Sequence, residues 1–274
     1  MAFFGDEMNI CILGNTARHH ILFSNLKGLG FNVSLFDTMP EPENTAQFDF
    51  VVLPIPTLKE NRILNLEGCS ANIEHILNKF TSNTVFITCN YTSEDYKTVD
   101  INKRDDFAYL NAIPTAEGAI EIAIDKSNSS LFYSNVLITG FGRVAKILAN
   151  RLKGLCPNIV IAARSQSSLA EAAVLGFKTV AFNSFKENNL NYDIVFQTVP
   201  SLVLNENVLC KFKKDVIIIE LSSKSIGTDC LLAEKLGITV VHAPALPEKI
   251  APATAGNILT ETVLKIINEN STPY

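Results

Sequence analysis

Residues 138–152 read ITGFGRVAKILANRL, and Gly140-Phe141-Gly142-Arg143-Val144-Ala145 within them has the pattern G-x-G-x-x-A between an apolar run and an amphipathic one. Gly140 permits a tight turn. Gly142 places no side chain between the backbone and an approaching pyrophosphate, and Ala145 is small enough for a helix to close on a sheet. A helix start at this point offers unpaired N–H groups and a partial positive charge to an anion. Glycines also make ordinary turns, so the flanks decide: NVLITG (135–140) precedes the turn and NIVIAAR (158–164) follows the helix. The stretch predicts a dinucleotide held by Gly140, Phe141, Gly142, Arg143 and Val144.

Which dinucleotide depends on the end of the second strand, where an NAD site carries a carboxylate for the ribose 2′-OH. Here the strand ends Ala162-Ala163-Arg164-Ser165. Arg164 and Ser165 suit a 2′-phosphate through charge-assisted bonds, so NADP is expected before NAD; the alternative is that Arg164 is a solvated strand end. Further on, Gln197-Thr198-Val199-Pro200-Ser201 closes the fourth strand of the same unit. Thr198, Val199 and Pro200 are expected beside the nicotinamide, or else form an ordinary turn around a proline.

The elements that must position these residues follow from hydrophobic periodicity. RVAKILANRLKG puts Val144, Ile147, Leu148 and Leu152 on one helical face. SSLAEAAVLG is a second helix and FKTVAF a third strand, followed by strands at YDIVFQTVP, DVIIIELSS and ITVVHAP, with TDCLLAEKLG a helix before the last. Near-continuous Ile/Val runs joined by helices predict a parallel sheet covered on both faces. The first half has the same rhythm: strands at MNICILG, FNVSLFD, FDFVVLPIP, TVFITCN and FAYLNAIP, with ARHHILFSNLKGLG a helix. IPTAEGAIEIAIDKS (113–127) reads as a connecting helix, and the polar SNSS at its end as a boundary.

The expected fold is therefore α/β, two tandem Rossmann-like units with a cleft between them. Residues 1–128 form a substrate-side domain and 129–274 the doubly wound dinucleotide domain. The final helix, TAGNILTETVLKIINEN, is free to pack back on the first domain.

Composition bounds the partners. At 274 residues and 47% hydrophobic, the chain can bury one large core or two ordinary ones. A net charge of −5 argues against nucleic acid or an anionic membrane as a bulk partner. Six scattered cysteines with no C-x-x-C read as reduced thiols, and four dispersed histidines supply no metal-ligand spacing. The opening MAFFGDEMNICILG lacks a basic start and is broken by Asp6 and Glu7, unlike a signal peptide. No apolar run approaches the roughly 18 residues of a membrane span. A soluble cytoplasmic protein is expected.

Taken together, the blocks ITGFGRVAKILANRL, IAARSQSSLAEAAVLGF, TVPSLVLN, LSSKSIGTD, IPTAEGAIEIAI and APALPEKIAPATAGNIL resemble, in order and spacing, the A-subunit family of dipicolinate synthase. The resemblance covers nearly the whole chain. It departs from the family pattern at Lys224-Ser225-Ile226-Gly227 and at Ala245-Leu246-Pro247-Glu248. What it implies is oxidation of dihydrodipicolinate to dipicolinate with NADP⁺, in the mother cell of a sporulating bacterium, beside the flavoprotein-like B-subunit of dipicolinate synthase. Whether the chain is also a homo-oligomer stays open.

The two-unit layout is also similar to D-2-hydroxyacid dehydrogenases. In that comparison Lys224 matches the position of a carboxylate-binding Arg, while no histidine stands near Pro252–Thr254 to match their acid–base group.

A dicarboxylate substrate requires cationic or N–H anchors. Arg18, Lys224, Thr115 and the Ser222–Ser223 hydroxyls are the candidates, against the plainer readings of a solvated Arg18, an exposed loop Lys224 and a helix-capping Thr115. For proton removal the candidates are Glu117 and His242. Glu117 is otherwise a first-turn glutamate and His242 a core histidine. His19 and His20 follow the N-terminal turn and read as surface imidazoles, one of which could face the substrate. Two alternatives stand beside this reading: a dehydrogenase of another small carboxylate, and a nucleotide-binding protein of a flavoprotein complex that is inert by itself.

Overall fold

Two compact units divide the chain, residues 1–111 with 251–274, and residues 112–250. The computed structural model describes residues 8–40, 45, 47–186, 190–222 and 227–271.

In the first unit β1 (Asn9–Leu13), β2 (Asn32–Phe36), β3 (Phe50–Val52), β4 (Val85–Thr88) and β5 (Thr98–Asp100) form a parallel sheet in the order β2-β1-β3-β4-β5. The order reverses between β1 and β3, so the crevice of this doubly wound unit lies at the carboxyl end of β1. The short α2 (Ile73–Leu77) buries Ile73, Ile76 and Leu77 in a core with Cys11, Leu13 and Phe86. Helix α1 (Ala17–Gly28) returns over the sheet and packs on α9 (Pro252–Ser271), the last helix of the chain. The contact is close: a Cβ on Gly256 of α9 would come within 2.5 Å of Ile21. Leu22 and Leu26 of α1 and Leu259, Val263 and Ile266 of α9 share a second core with Ile10, Ile12 and Phe50.

The second unit has six parallel strands: β6 (Asn135–Thr139), β7 (Asn158–Ala163), β8 (Lys178–Ala181), β9 (Ile194–Gln197), β10 (Ile217–Glu220) and β11 (Thr239–His242). Their order is β11-β10-β9-β6-β7-β8, the arrangement of dinucleotide-binding folds with its switch point between β6 and β9. Helices α4 (Arg143–Leu152), α5 (Gln166–Val174), α6 (Glu206–Leu209), α7 (Cys230–Lys235) and α8 (Leu246–Ile250) belong to this unit. Ala145, Leu148, Ala149 and Leu152 bury one face of α4 against Ile138, Ile161 and Phe196. Of the expected apolar face, Leu148 and Leu152 are fully buried, while Val144 and Ile147 are half-buried.

Two expectations are corrected. FAYLNAIP is not a strand; it lies within α3 (Asp105–Lys126), which runs unbroken past Pro114. Phe107 and Leu110 stand at helical spacing and face the core of the first unit, and Ala116, Ala119, Ile120 and Ala123 continue at helical spacing into that of the second. The fifth strand is the short β5 instead. For the same reason the change of unit falls at 111/112, inside this helix, and not at 128/129. Among the described residues, no helix is long and apolar enough to cross a membrane, and no cluster of His, Cys, Asp and Glu could hold a metal.

Candidate functional site

At the carboxyl edge of the second sheet the G-x-G-x-x-A turn leaves β6 and opens α4. Gly140 has φ +82°, a conformation that L side chains rarely adopt. A Cβ there would lie 2.9 Å from both Thr198 Oγ1 and Val199 Cγ2, so the turn after β6 rests directly on the turn after β9. Gly142 is different: nothing lies within 4 Å of where its Cβ would be. It is the N-cap of α4 and offers no side-chain cap, so the first N–H groups of that helix are left for another acceptor. Phe141 is buried, edge-on to Phe177 at 6.2 Å between centroids. Arg143 and Val144, in the first turn of α4, are half-buried.

A depression of about 230 Å³ extends from Gly140 to the end of β7, lined by Arg164, Ser165, Phe182, Val199 and Ser201. Arg164 is exposed there. Ser165 is committed to its own helix: as N-cap of α5 its oxygen accepts from Ser168 N–H at 3.2 Å, and its hydroxyl lies 2.8 Å from Ser168 Oγ. The structure thus brings together Gly140, Phe141, Arg164, Ser165 and Val199.

The strand ends hold a buried polar row absent from the expected site. Thr139, Gln197 and Glu220 terminate β6, β9 and β10 in adjacent register and are 0–1% exposed. Thr139 Oγ1 donates to Gln197 Oε1. Thr198 Oγ1 donates to the Thr139 carbonyl at 2.6 Å. Val199 N–H donates to Gln197 Oε1 and Gln197 Nε2 donates to Val199 O, both at 2.8 Å, so one side-chain amide pairs with the main chain of the next turn. Glu220 accepts from Ser222 Oγ at 2.6 Å, Ser222 N–H at 3.2 Å and Thr228 Oγ1 at 2.8 Å. The sequence signal was a single polar residue ending each apolar run, LIT, VFQ and IIE.

The other site residues separate. Ser222 is buried and its hydroxyl donates to Glu220. Lys224 and Ser223 lie outside the described residues. His242 is exposed at the end of the edge strand β11, in register with Glu220, and so is not a core histidine. Pro200 is exposed beyond the turn. Glu117 does not suit the base role: it pairs at 3.1 Å with Arg151, in the last turn of α4. That turn lies nine residues, about 13 Å at a helical rise, from the fingerprint end. Thr115 is no cap, because α3 starts ten residues earlier at Asp105.

In the first unit, Arg18 and His19 follow the turn after β1. Arg18 is 4% exposed, not a solvated helix-start arginine. It reaches the carboxyl end of β4: burial first, and then the Asp100 carboxylate, push the Cys89 thiol up to about 12, while the Arg18 charge pulls it down. His19 is also buried, with Nδ1 2.7 Å from Thr16 Oγ1, which corrects the surface reading; His20 is exposed, 3.0 Å from Asn15 Oδ1.

No protein-family profile matches the chain. It is 37% identical over 173 residues to the dipicolinate synthase A-subunit from Bacillus subtilis (strain 168), a stretch covering 63% of this chain and 58% of that protein. The chain thus spans less than two thirds of the length of the curated relative it matches. The crystal structure of the dipicolinate synthase A chain from Bacillus subtilis has a TM-score of 0.85 at 26% identity, over 96% of this chain and 97% of that one. The A-subunit from Bacillus halodurans gives 0.86 at 27%, over 97% and 99%. A D-lactate dehydrogenase from Treponema pallidum shares the fold alone, with a TM-score of 0.63 at 12% identity over 97% of this chain and 98% of that one. In sequence the chain is similar to one dipicolinate synthase A-subunit over part of its length, and in fold to two over nearly all of it.

Proposed function

We propose that the protein is an NADP-dependent dehydrogenase that oxidises dihydrodipicolinate to dipicolinate. One observation carries the cofactor half: at the switch point between β6 and β9 the space over Gly142 is open, α4 starts uncapped, and Arg164 stands where an NAD site has its carboxylate. These residues fit a dinucleotide. The main chain of Gly140, Gly142 and Arg143 would hold the diphosphate, with Phe141 and Val144 fixing that turn on its helix. Arg164 would hold the 2′-phosphate, with Ser165 beside it, and Thr198, Val199 and Pro200 would border the nicotinamide. NADP⁺, when bound, supplies the hydride acceptor.

Likeness to dipicolinate synthase A-subunits supports the substrate half. The ring loses two hydrogens, one as hydride and one as a proton, and aromatisation drives the change. The protein's work is therefore orientation and proton removal. Arg18, a buried cation following the switch-point turn of the first unit, is the candidate anchor for a carboxylate. His242 is the proton acceptor, whereas the Ser222 hydroxyl, which donates to Glu220, has no proton left for a carboxylate and serves to hold that strand end. Thr115, Ser223 and Lys224 keep only the roles that resemblance gave them. The protein acts in the mother-cell cytoplasm beside a flavoprotein-like B-subunit, in keeping with the family's place in a multi-subunit enzyme.

The test uses the purified chain with NADP⁺ and freshly generated dihydrodipicolinate, following NADPH fluorescence and dipicolinate absorbance together. One NADPH per dipicolinate formed by the chain alone is the expected result. Turnover only after the flavoprotein-like partner is added would make the chain part of a shared site. Silence in both would sink the dipicolinate reading.

A further inference from the structure

Gly227 has a reason to be glycine that is not conformational. Its φ is not in the left-handed region, yet a Cβ added to it would overlap the Gln197 carboxamide, nitrogen and carbon both. The backbone at Gly227 therefore presses against the side chain that pairs with Val199. Gly227 is anchored on its other side as well, its carbonyl accepting from Val203 N–H and Leu204 N–H, each at 3.0 Å. The next residue, Thr228, donates to Glu220, which also holds Ser222.

The Gln197 amide is thus wedged. One end is fixed by Thr139 and by the main chain of Val199, and its flank is fixed by Gly227. The Val199 it holds is the residue that, with Thr198, fills the space beside Gly140. Any displacement of the amide must release Val199 N–H and O from the side-chain brace this row gives them, and so loosen the turn on which the fingerprint glycine rests.

We propose that Gln197 is a positioning residue that sets the 198–200 turn against Gly227, so that affinity for the dinucleotide depends on Gly227, a residue outside the fingerprint. This deepens the NADP reading and rests on it. The Glu220 carboxylate extends the same frame to Ser222 and Thr228, registering the substrate-side strand end with the cofactor turn.

The test is a double-mutant cycle with two readouts: NADPH affinity by fluorescence titration, and hydrogen exchange of the peptide containing Val199. Gly227→Ala is expected to weaken NADPH binding at least tenfold and to speed exchange at Val199. Gln197→Ala should do the same. The double variant should match Gln197→Ala, because the added methyl then has nothing to displace. Independent, multiplying losses would overturn the proposal, as would a Gly227→Ala protein that binds and exchanges like wild type.

Should Gly227→Ala fail to fold, the double variant decides. Folding restored by Gln197→Ala, with that single variant's affinity, supports the wedge; no restoration sinks it. A wild-type protein that ignores NADPH would sink the dinucleotide reading instead, while exchange at Val199 still reports on the wedge.

Discussion

The two units present the same edge and use it differently. Each has a glycine turn leaving a strand at its switch point and opening a helix. In the first unit the turn is filled by the chain itself: Gly14 has φ +147°, and a Cβ there would lie 2.6 Å from the His19 ring. In the second unit Gly140 is packed just as tightly, but the next glycine, Gly142, faces open space at an uncapped helix start. The neighbouring strand ends differ in sign, Asp37 after β2 and Arg164 after β7. A glycine turn at a parallel-sheet edge is therefore no ligand site by itself. What matters is whether the protein's own side chains occupy the space the glycine leaves.

The sharpest way to break this comparison is to put a side chain into each space. A Cβ at Gly142 meets no protein atom within 4 Å, so Gly142→Val, as an N-cap change, should cost folding no more than about 1 kcal/mol. It should weaken NADPH binding at least a hundredfold, roughly 3 kcal/mol. Gly14→Ala, by contrast, meets the His19 ring in a conformation suited to glycine. It should cost roughly 1–3 kcal/mol of stability and leave NADPH affinity unchanged. Thermal melts and fluorescence titrations on the two variants read both numbers. Retained affinity in Gly142→Val would remove the basis for placing a diphosphate there.

The strand ends give the second comparison. Arg164 is exposed and faces the depression that begins at Gly140. If it meets a 2′-phosphate, Arg164→Ala should weaken NADPH by about 1.5–3 kcal/mol, the worth of hydrogen bonds to a charged group. NADH binding should not change. Equal losses for both dinucleotides would return Arg164 to a solvated strand end.

What could be read in advance follows the same line. Both sheets were legible because fully buried parallel strands are near-continuous apolar runs, as in the IVF of β9 and the III of β10, each closed by one polar residue. FAYLNAIP misled because a short apolar run has no period that separates strand from helix, and because Pro114 usually ends a helix. The fingerprint was legible because its chemistry is local. The burial of Arg18 and His19 was not, since it depends on strands far away in sequence. Gln197 stood within a quoted motif, yet its wedge against Gly227 joins two turns that only the sheet brings together.

The smallest effect bears on why the last helix belongs to the first unit. Arg104 bonds both Asp106 on α3, at 3.1 Å, and Glu269 near the end of α9, at 2.6 and 2.8 Å. Lys265 of α9 adds a contact to Asp106 at 3.3 Å. Hydrogen bonds from Arg104, opposed in part by burial, bring the Asp106 carboxyl down from 3.8 to about 2. A carboxyl lowered on folding stabilises the fold above its unfolded value, and that contribution disappears as pH falls through the folded one. The loss should therefore come between pH 3.8 and about 2. Asp106→Asn should lose this modest contribution at neutral pH and flatten the acid-unfolding profile in this window, so that the two proteins converge below about pH 2. Because these side chains are partly exposed, added salt should shrink the difference. Identical acid profiles for wild type and Asp106→Asn would show that apolar packing of α9 on α1 holds the helix without help from this network.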